Sequence, residues 1–539
     1  MDGIFGDFDR GRRGLDQGRL SDMAQKLVHR GPDEQGLHHQ PAWGAAVILR
    51  SYEREGIDFV SRLNGMFAIA IDDAREDAMY LVRDRIGVKP LYLADDGERM
   101  VFGSEIKAIL PAVRIDRALA AVDPEAIHHY LSFNYIPAPW TSWKDVRHVM
   151  PGTWMRFSRT GVQTESWWTL AAQREQDHRF EDWSAEFLSI LDDATRIRLR
   201  ADVPWGAFLS GGVDSSTIVA LMARHVDRPV KTFCIGFDDP LYDEAPFARE
   251  AARRFGCDHT SEVAQLNMLE RWPEVLYHLD QPHGDASFMP TLRVSELAAK
   301  HVKVVLTGDG GDELFAGYDK YTAYFSRPGA QTLPVPDFHR SYFDSISLFS
   351  PQAKHALYQP TVARWLDGVD SFSAAAEPWL QEAEHFDRIY QALYLDMQLL
   401  LSGNNLVKPD RMGMAVSIEA RTPFLEWRMM EFAFRSRGNT KLRADDKKHW
   451  YKNAAAPLMG GDLAYRKKQM FTVPVGEWFR TSSYSWLAAT LGHSDLVNRL
   501  FRPEVVQGML TRHRDGSANF TGELRALAAL ALWAQQALA

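Results

Sequence analysis

A chain of 539 residues exceeds what one hydrophobic core usually supports, so two domains are expected. With 45% hydrophobic and 25% charged residues the composition is that of an ordinary globular protein, and a net charge of −9 without a basic block argues against nucleic acid as the main partner. No apolar run reaches the roughly 18 residues of a membrane span and no signal core opens the chain, so a soluble cytoplasmic protein without membrane contact is expected. Only two cysteines occur, Cys234 and Cys257, which suits a reducing compartment rather than a disulfide framework.

In chain order, residues 1–165 read as β-rich. Short apolar runs such as MFAIAID (66–72) and Met79–Val82 are bounded by Asp, Gly and charged turns. No long helical period is visible before Asp123–Leu131. The Pro-rich passage Ile136–Trp140, then Pro151-Gly152, reads as the way out of this domain, and Ala171–Trp183 as a polar linker. From 184 onward apolar strands alternate with amphipathic helices: Trp205–Leu209, Ser215–His225, Val230–Phe237, Glu244–Phe255, Leu292–Ala299 and Lys303–Thr307. That alternation predicts βαβ units and a parallel sheet covered by helices. The rest to Ala539 reads as mostly helical, with residues 326–352 expected to be a loop or lid. The expected domains are therefore 1–165 and 184–539.

The sharpest motif is Leu209-Ser-Gly-Gly-Val-Asp-Ser-Ser216, where a strand ends, two glycines follow and a helix begins. Gly211 and Gly212 let backbone N–H groups approach a polyphosphate, and the helix N-terminus adds partial positive charge. Ser210 and Ser215 supply hydroxyl donors, whereas Asp214 suits Mg²⁺ bridging the phosphates. The Gly-Lys-Ser/Thr ending of a Walker loop is missing, so the pattern points to splitting of ATP between its α and β phosphates. A second strand–turn–helix, Lys303-Val-Val-Leu-Thr-Gly-Asp-Gly-Gly-Asp-Glu-Leu-Phe-Ala-Gly-Tyr318, carries another acidic cluster. Acids at the carboxyl ends of two parallel strands converge on one crevice in open α/β sheets. Asp312 then completes the Mg²⁺ coordination begun by Asp214, and Asp309 faces the reacting carboxylate.

These motifs, together with TFCIGF (232–237), YDEAPFAREAA (242–252), DQPHGDASFMPT (280–291), DRMGMAVSIEARTPFLE (410–426) and RKKQMFTVPVGEW (466–478), resemble glutamine-dependent asparagine synthetase. HRGPDEQG (29–36), LNGMFAIAIDD (63–73), VRDRIGVKPLYL (82–93) and FGSEIKAIL (102–110) extend the resemblance through the first domain. It implies a two-domain α+β chain: an Ntn-type β-rich glutaminase-like domain, truncated here, and an α/β pyrophosphate-loop synthetase domain like the adenine nucleotide α-hydrolases. By the resemblance Ser210–Ser216 (Ser210, Gly211, Gly212, Asp214, Ser215, Ser216) hold pyrophosphate, and Leu209, Ile235, Thr307 and Gly308 hold the nucleotide. Asp214 and Asp312 fall on magnesium positions, Asp309 on an acid linked to acyl-adenylate formation, and Lys468 on the lysine that stabilises phosphate charge in the transition state. Lys448 is expected on a helix surface and Arg411 to be a buried structural residue.

Three departures shape the expected function. Asp2 stands where the family carries its catalytic cysteine, and a carboxylate cannot form the thioester that glutamine hydrolysis needs. The first domain runs from Gly36 almost directly to Ala46–Gly56, without the segments that grip glutamine. His283-Gly284 replaces a Phe-Ala pair, and Pro409 and Met470 sit in otherwise matching motifs near the expected acyl pocket. His29 and Arg30 persist, expected as a satisfied surface or interface pair. The chain thus reads as an AMP-forming carbon–nitrogen ligase that uses ATP and Mg²⁺, joins a small carboxylate to ammonia or a free amine, and lacks glutaminase activity. Alternatives are an intramolecular cyclase of the β-lactam synthetase or lasso macrolactam type, or a synthetase fed by a separate amidotransferase; a homodimer is also open.

Overall fold

The computed structural model describes residues 3–10, 17–31, 43–113, 119–176, 179–264, 268–466 and 473–538. The chain forms two compact units, one of residues 1–115 and 145–172, the other of 116–144 and 173–539. The units interleave: the helix Pro124–Phe133, which the linear pattern placed in the first domain, belongs to the second.

The first unit holds eight described strands, β1 (Phe5–Asp9), β2 (Ala68–Asp73), β3 (Ala78–Arg83), β4 (Tyr92–Asp95), β5 (Arg99–Gly103), β6 (Val146–His148), β7 (Thr153–Ser158) and β8 (Gly161–Ser166). They make two four-stranded antiparallel sheets, ordered β1-β5-β4-β6 and β2-β3-β7-β8. Strand β3 is buried along its whole length, and its two faces divide by the period of two expected of a strand. Met79 and Leu81 pack with Leu91, Leu93, Met100 and Phe102, whereas Ala78, Tyr80 and Val82 pack with Tyr52, Phe59, Val60 and Trp154.

Contrary to the expected lack of early helices, the unit contains helices Gln17–Gln25 and Trp43–Glu55. In the second of these helices Val47 and Leu49 are exposed while Ile48 and Tyr52, four residues apart, face the sheet. The Tyr52 hydroxyl then donates to Asp73 at 2.9 Å.

The second unit contains an all-parallel sheet of β9 (Trp205–Phe208), β10 (Lys231–Phe237), β11 (Asp258–Ala264), β12 (Val304–Leu306) and β13 (Glu419–Arg421), in the order β11-β10-β9-β12-β13. From β9 the chain steps outward through β10 to β11 and then returns to the opposite side of β9. The strand order therefore reverses between β9 and β12, which is where open α/β sheets place their ligands. Helix Ala245–Arg254 falls within its expected element, and helices Val213–Arg224 and Phe288–Ala299 overlap theirs but start earlier, at Val213 rather than Ser215 and at Phe288 rather than Leu292. The polar strand β11 and the short β13 lacked an apolar run that would mark them.

Residues 326–352 are not a simple loop. Val335–Ile346 is a helix, opened by Pro334 and Pro336, with Phe338 and Tyr342 buried one turn apart. The expected linker likewise gives way at Phe180 to the helix Phe180–Arg198. Among the described residues no helix is long and apolar enough to cross a membrane.

Candidate active site

At the end of β9 the chain turns sharply. Gly211 has φ +72, and a Cβ there would collide with the Phe247 backbone, so only glycine serves. The turn is held from within: the Ser210 and Ser215 hydroxyls lie 3.2 Å apart, the Ser210 N–H donates to Ser215 Oγ at 3.3 Å, and the Gly212 N–H donates to Ser210 Oγ at 3.3 Å. Helix Val213–Arg224 starts immediately afterwards, directing its N-terminal N–H groups to the same point.

The turn after β12 is pressed against the first. A Cβ on Gly308 would lie 2.8 Å from Asp214 Cβ and 2.9 Å from the Ser215 nitrogen, and one on Gly311 would lie 2.5 Å from Asp214 Oδ1. These glycines let the carboxylates of the two motifs meet. Between the turns opens a cavity of about 630 Å³. Leu209, Phe233, Cys234 and Ile235 line it, together with Ser210, Gly212, Asp214 and Ser215 of the first turn and Thr307, Gly308, Asp309 and Asp312 of the second. Gly211 and Ser216 are not among its lining residues, and Ser216 is fully buried. Asp309 accepts a hydrogen bond from the Thr307 hydroxyl at 2.6 Å, and burial pushes its carboxyl up from the usual range.

Lys448 differs from its expected helix-surface position. It is 4% exposed, lies at φ +52 just ahead of helix His449–Met459, and its Nζ is 2.5 Å from Asp214 Oδ2 and 2.7 Å from Asp312 Oδ1. A Cβ on Gly317 would strike both Asp312 Oδ1 and Lys448 Cε, so the last glycine of the second motif makes room for this bridge. In sequence Lys448 is one of two adjacent lysines before an amphipathic helix, with nothing to mark which is buried. Arg411 is, as expected, buried and structural, with Nη1 3.5 Å from Asp280.

Of the departures, Pro409 lines the cavity. His283 and Gly284 are not among its lining residues: His283 stacks on Tyr135 and packs on Phe288, and burial pulls its imidazole down to about 4. Gly284 donates its N–H to the Asn134 carbonyl at 3.0 Å, and a Cβ there would strike the Asn134 side chain. The pair thus accommodates the segment around Asn134 and Tyr135. In the first unit His29 and Arg30 both engage the buried Glu105, at 3.0 and 3.1 Å, the satisfied pair expected. Asp2, Lys468 and Met470 lie outside the described residues.

Residues not foreseen also line the cavity. Arg466 donates to the Gly211 carbonyl and to Glu244, Lys447 pairs with Asp319, and Lys408 donates to Ser287 Oγ at 3.1 Å. Arg466 opens the motif RKKQMFTVPVGEW (466–478), in which the resemblance marks Lys468 instead. Among the described residues no cluster of three or more His, Cys, Asp or Glu side chains converges. Asp214 and Asp312 are the pair that could hold a hard divalent cation together with ligand oxygens.

A parallel sheet with two glycine-rich acidic turns meeting at its switch point is a ligand-binding architecture of the α/β class, in a chain that also holds a separate antiparallel β unit. Residues 186–535 match the asparagine synthase family model, and residues 42–168 match the glutamine amidotransferase domain. The chain is 30% identical over 519 residues to a putative glutamine-hydrolysing asparagine synthetase of Mycobacterium tuberculosis, covering 90% of this chain and 78% of the relative. It is 27% identical over 518 residues to asparagine synthetase 1 of Bacillus subtilis, covering 90% and 80%, and 29% identical over 337 residues to amidase chyE of Penicillium rubens, covering 58% and 48%. This chain belongs to the asparagine synthase family.

Proposed function

We propose that the protein is an ATP-dependent, AMP- and pyrophosphate-forming amide ligase that adenylates a carboxylate and passes it to ammonia or a free amine. The observation that carries this reading is the convergence of Asp214 and Asp312, from two separate strand ends, on one cation at the mouth of the Ser210–Ser215 turn. Backbone N–H groups and hydroxyls of that turn suit a pyrophosphate, and Leu209 and Ile235 suit the nucleoside. The two carboxylates fit Mg²⁺, a cation usually held by one or two carboxylates with substrate phosphates completing its shell. When bound, Mg²⁺ would offset the charge of the transferring phosphates. Asp309, which also lines the cavity, would orient the reacting carboxylate, and Lys468 by its family position would steady the developing phosphate charge.

Loss of glutaminase activity belongs to the same proposal. Position 2 is Asp, and both cysteines of the chain lie in the second unit. The amidotransferase match begins only at residue 42, and Arg30 is already committed to Glu105.

The test is ATP–pyrophosphate exchange with a panel of carboxylic acids, followed by product mass with ammonia, hydroxylamine or glutamine. Exchange that depends on one acid, with ammonia but not glutamine completing the amide, is expected. A product equal to the acid minus water, with no added amine, would instead show a cyclase. No exchange with any acid together with no nucleotide binding would sink the ligase reading.

A further inference from the structure

Arg466 is held on three sides. Its Nε donates to the Gly211 carbonyl at 3.2 Å, its Nη2 donates to Glu244 Oε1 at 3.2 Å, and its guanidinium carbon lies 4.1 Å from the centre of the Phe247 ring. The side chain is 9% exposed and Glu244 is 5% exposed, so this pair is withdrawn from bulk water. One donor is left over: Nη1 is buried and has no hydrogen-bond partner among the described residues. A buried charged donor without an acceptor is costly, so each one in a native structure calls for a partner or a role, and a cavity-lining position offers a ligand as that partner. Arg466 lines the cavity, and its Nη2 is 3.9 Å from where a Cβ on Gly212 would stand.

We propose that Arg466 is a ligand for the pyrophosphate portion of the nucleotide, meeting a phosphate oxygen with Nη1 while its other edge sets the phosphate turn. The second half follows from peptide geometry. In a planar trans peptide the Gly211 carbonyl and the Gly212 N–H point in opposite directions, so anchoring the carbonyl fixes the direction of the N–H. That N–H donates to Ser210 Oγ inside the turn. The rigid fork of an arginine can serve the carbonyl, Glu244 and a phosphate together, which a single ammonium cannot. Glu244 keeps the guanidinium oriented before the anion arrives. This role rests on the ATP reading above.

The test is calorimetric binding of Mg²⁺-pyrophosphate, Mg²⁺-ATP and AMP to the full chain and to its Arg466→Met and Arg466→Lys variants. In Arg466→Met, affinity for pyrophosphate and ATP should fall about tenfold or more, the size of one charge-assisted hydrogen bond, while AMP binding stays nearly unchanged. Arg466→Lys, which keeps charge but not the fork, should fall in between, and it carries the test if the Met variant does not fold. Wild-type affinity for pyrophosphate in either variant, or equal losses for AMP and pyrophosphate, would overturn the assignment. Failure of the wild type to bind either ATP or pyrophosphate would overturn the ATP reading itself.

Discussion

Replacing Lys448 by Met probes the centre of the site, because the change removes charge while leaving a side chain of similar length at the same φ of +52. The ammonium touches Asp214 at 2.5 Å and Asp312 at 2.7 Å, with all three side chains under one-fifth exposed. At an effective dielectric near 20, each contact is worth roughly 6 kcal/mol of gross Coulomb attraction, much of it offset by desolvation. Removing one partner of such a buried set leaves the others uncompensated, which costs about 3–5 kcal/mol. Equilibrium urea unfolding in EDTA should show that loss for Lys448→Met and less for Lys448→Arg. Millimolar Mg²⁺ should then recover part of the deficit in the Met variant and add little to the wild type, whose two carboxylates already share a cation. A Met variant as stable as wild type without Mg²⁺ would refute the argument that this lysine neutralises the acidic pair.

The remaining predictions concern other parts of the chain. Gly308→Ala should cut acid-dependent pyrophosphate exchange by about 100-fold, because the added methyl meets the Ser215 backbone and must push the two turns apart; retained exchange in a folded variant would show that the turns can separate freely. Lys354, 3% exposed, donates to the His128 carbonyl and to Ser132 and Ser371, and burial lowers its ammonium to about 7. The unfolded chain therefore binds a proton that the folded chain lacks between about pH 7 and 10, so the stability of the wild type relative to Lys354→Met should climb across that window and stay flat below it. Parallel pH profiles of the two proteins in urea titrations would contradict this. Asp2→Cys should leave the protein unable to release ammonia from glutamine, since the first domain passes from Gly36 almost directly to Ala46–Gly56 without the segments that grip glutamine; measurable glutaminase activity in that variant would show that the first unit retains a usable glutamine site.

Much of this was legible in the chain because it depends on local rules. Strand–glycine turn–helix patterns announced both acidic turns, and alternating apolar runs announced β9, β10 and β12 with the helices between them. Segments whose burial is set by distant partners were not legible. The helix Trp43–Glu55 hides its period behind an apolar run in which Val47 and Leu49 are exposed while Ile48, and then Tyr52, pack on the core. Val335–Ile346 is held by buried aromatic residues that a Pro- and Ser-rich stretch does not advertise.

The sequence by itself determined that two acidic glycine-rich turns exist, that no cysteine stands at position 2, and that the chain carries the motifs of one ligase family. These are properties of residue type and spacing, and spacing along a chain is enough to fix a turn or a helix start. Only the tertiary structure decided which charges meet. It took Lys448 from a lysine pair and set it between Asp214 and Asp312, turned Arg466 onto the Gly211 carbonyl, and directed His283 and Gly284 toward Asn134 and Tyr135. Each of these contacts joins residues more than 100 positions apart. The physical reason is that burial and strand order decide them, and neither can be read from a residue's neighbours in the chain.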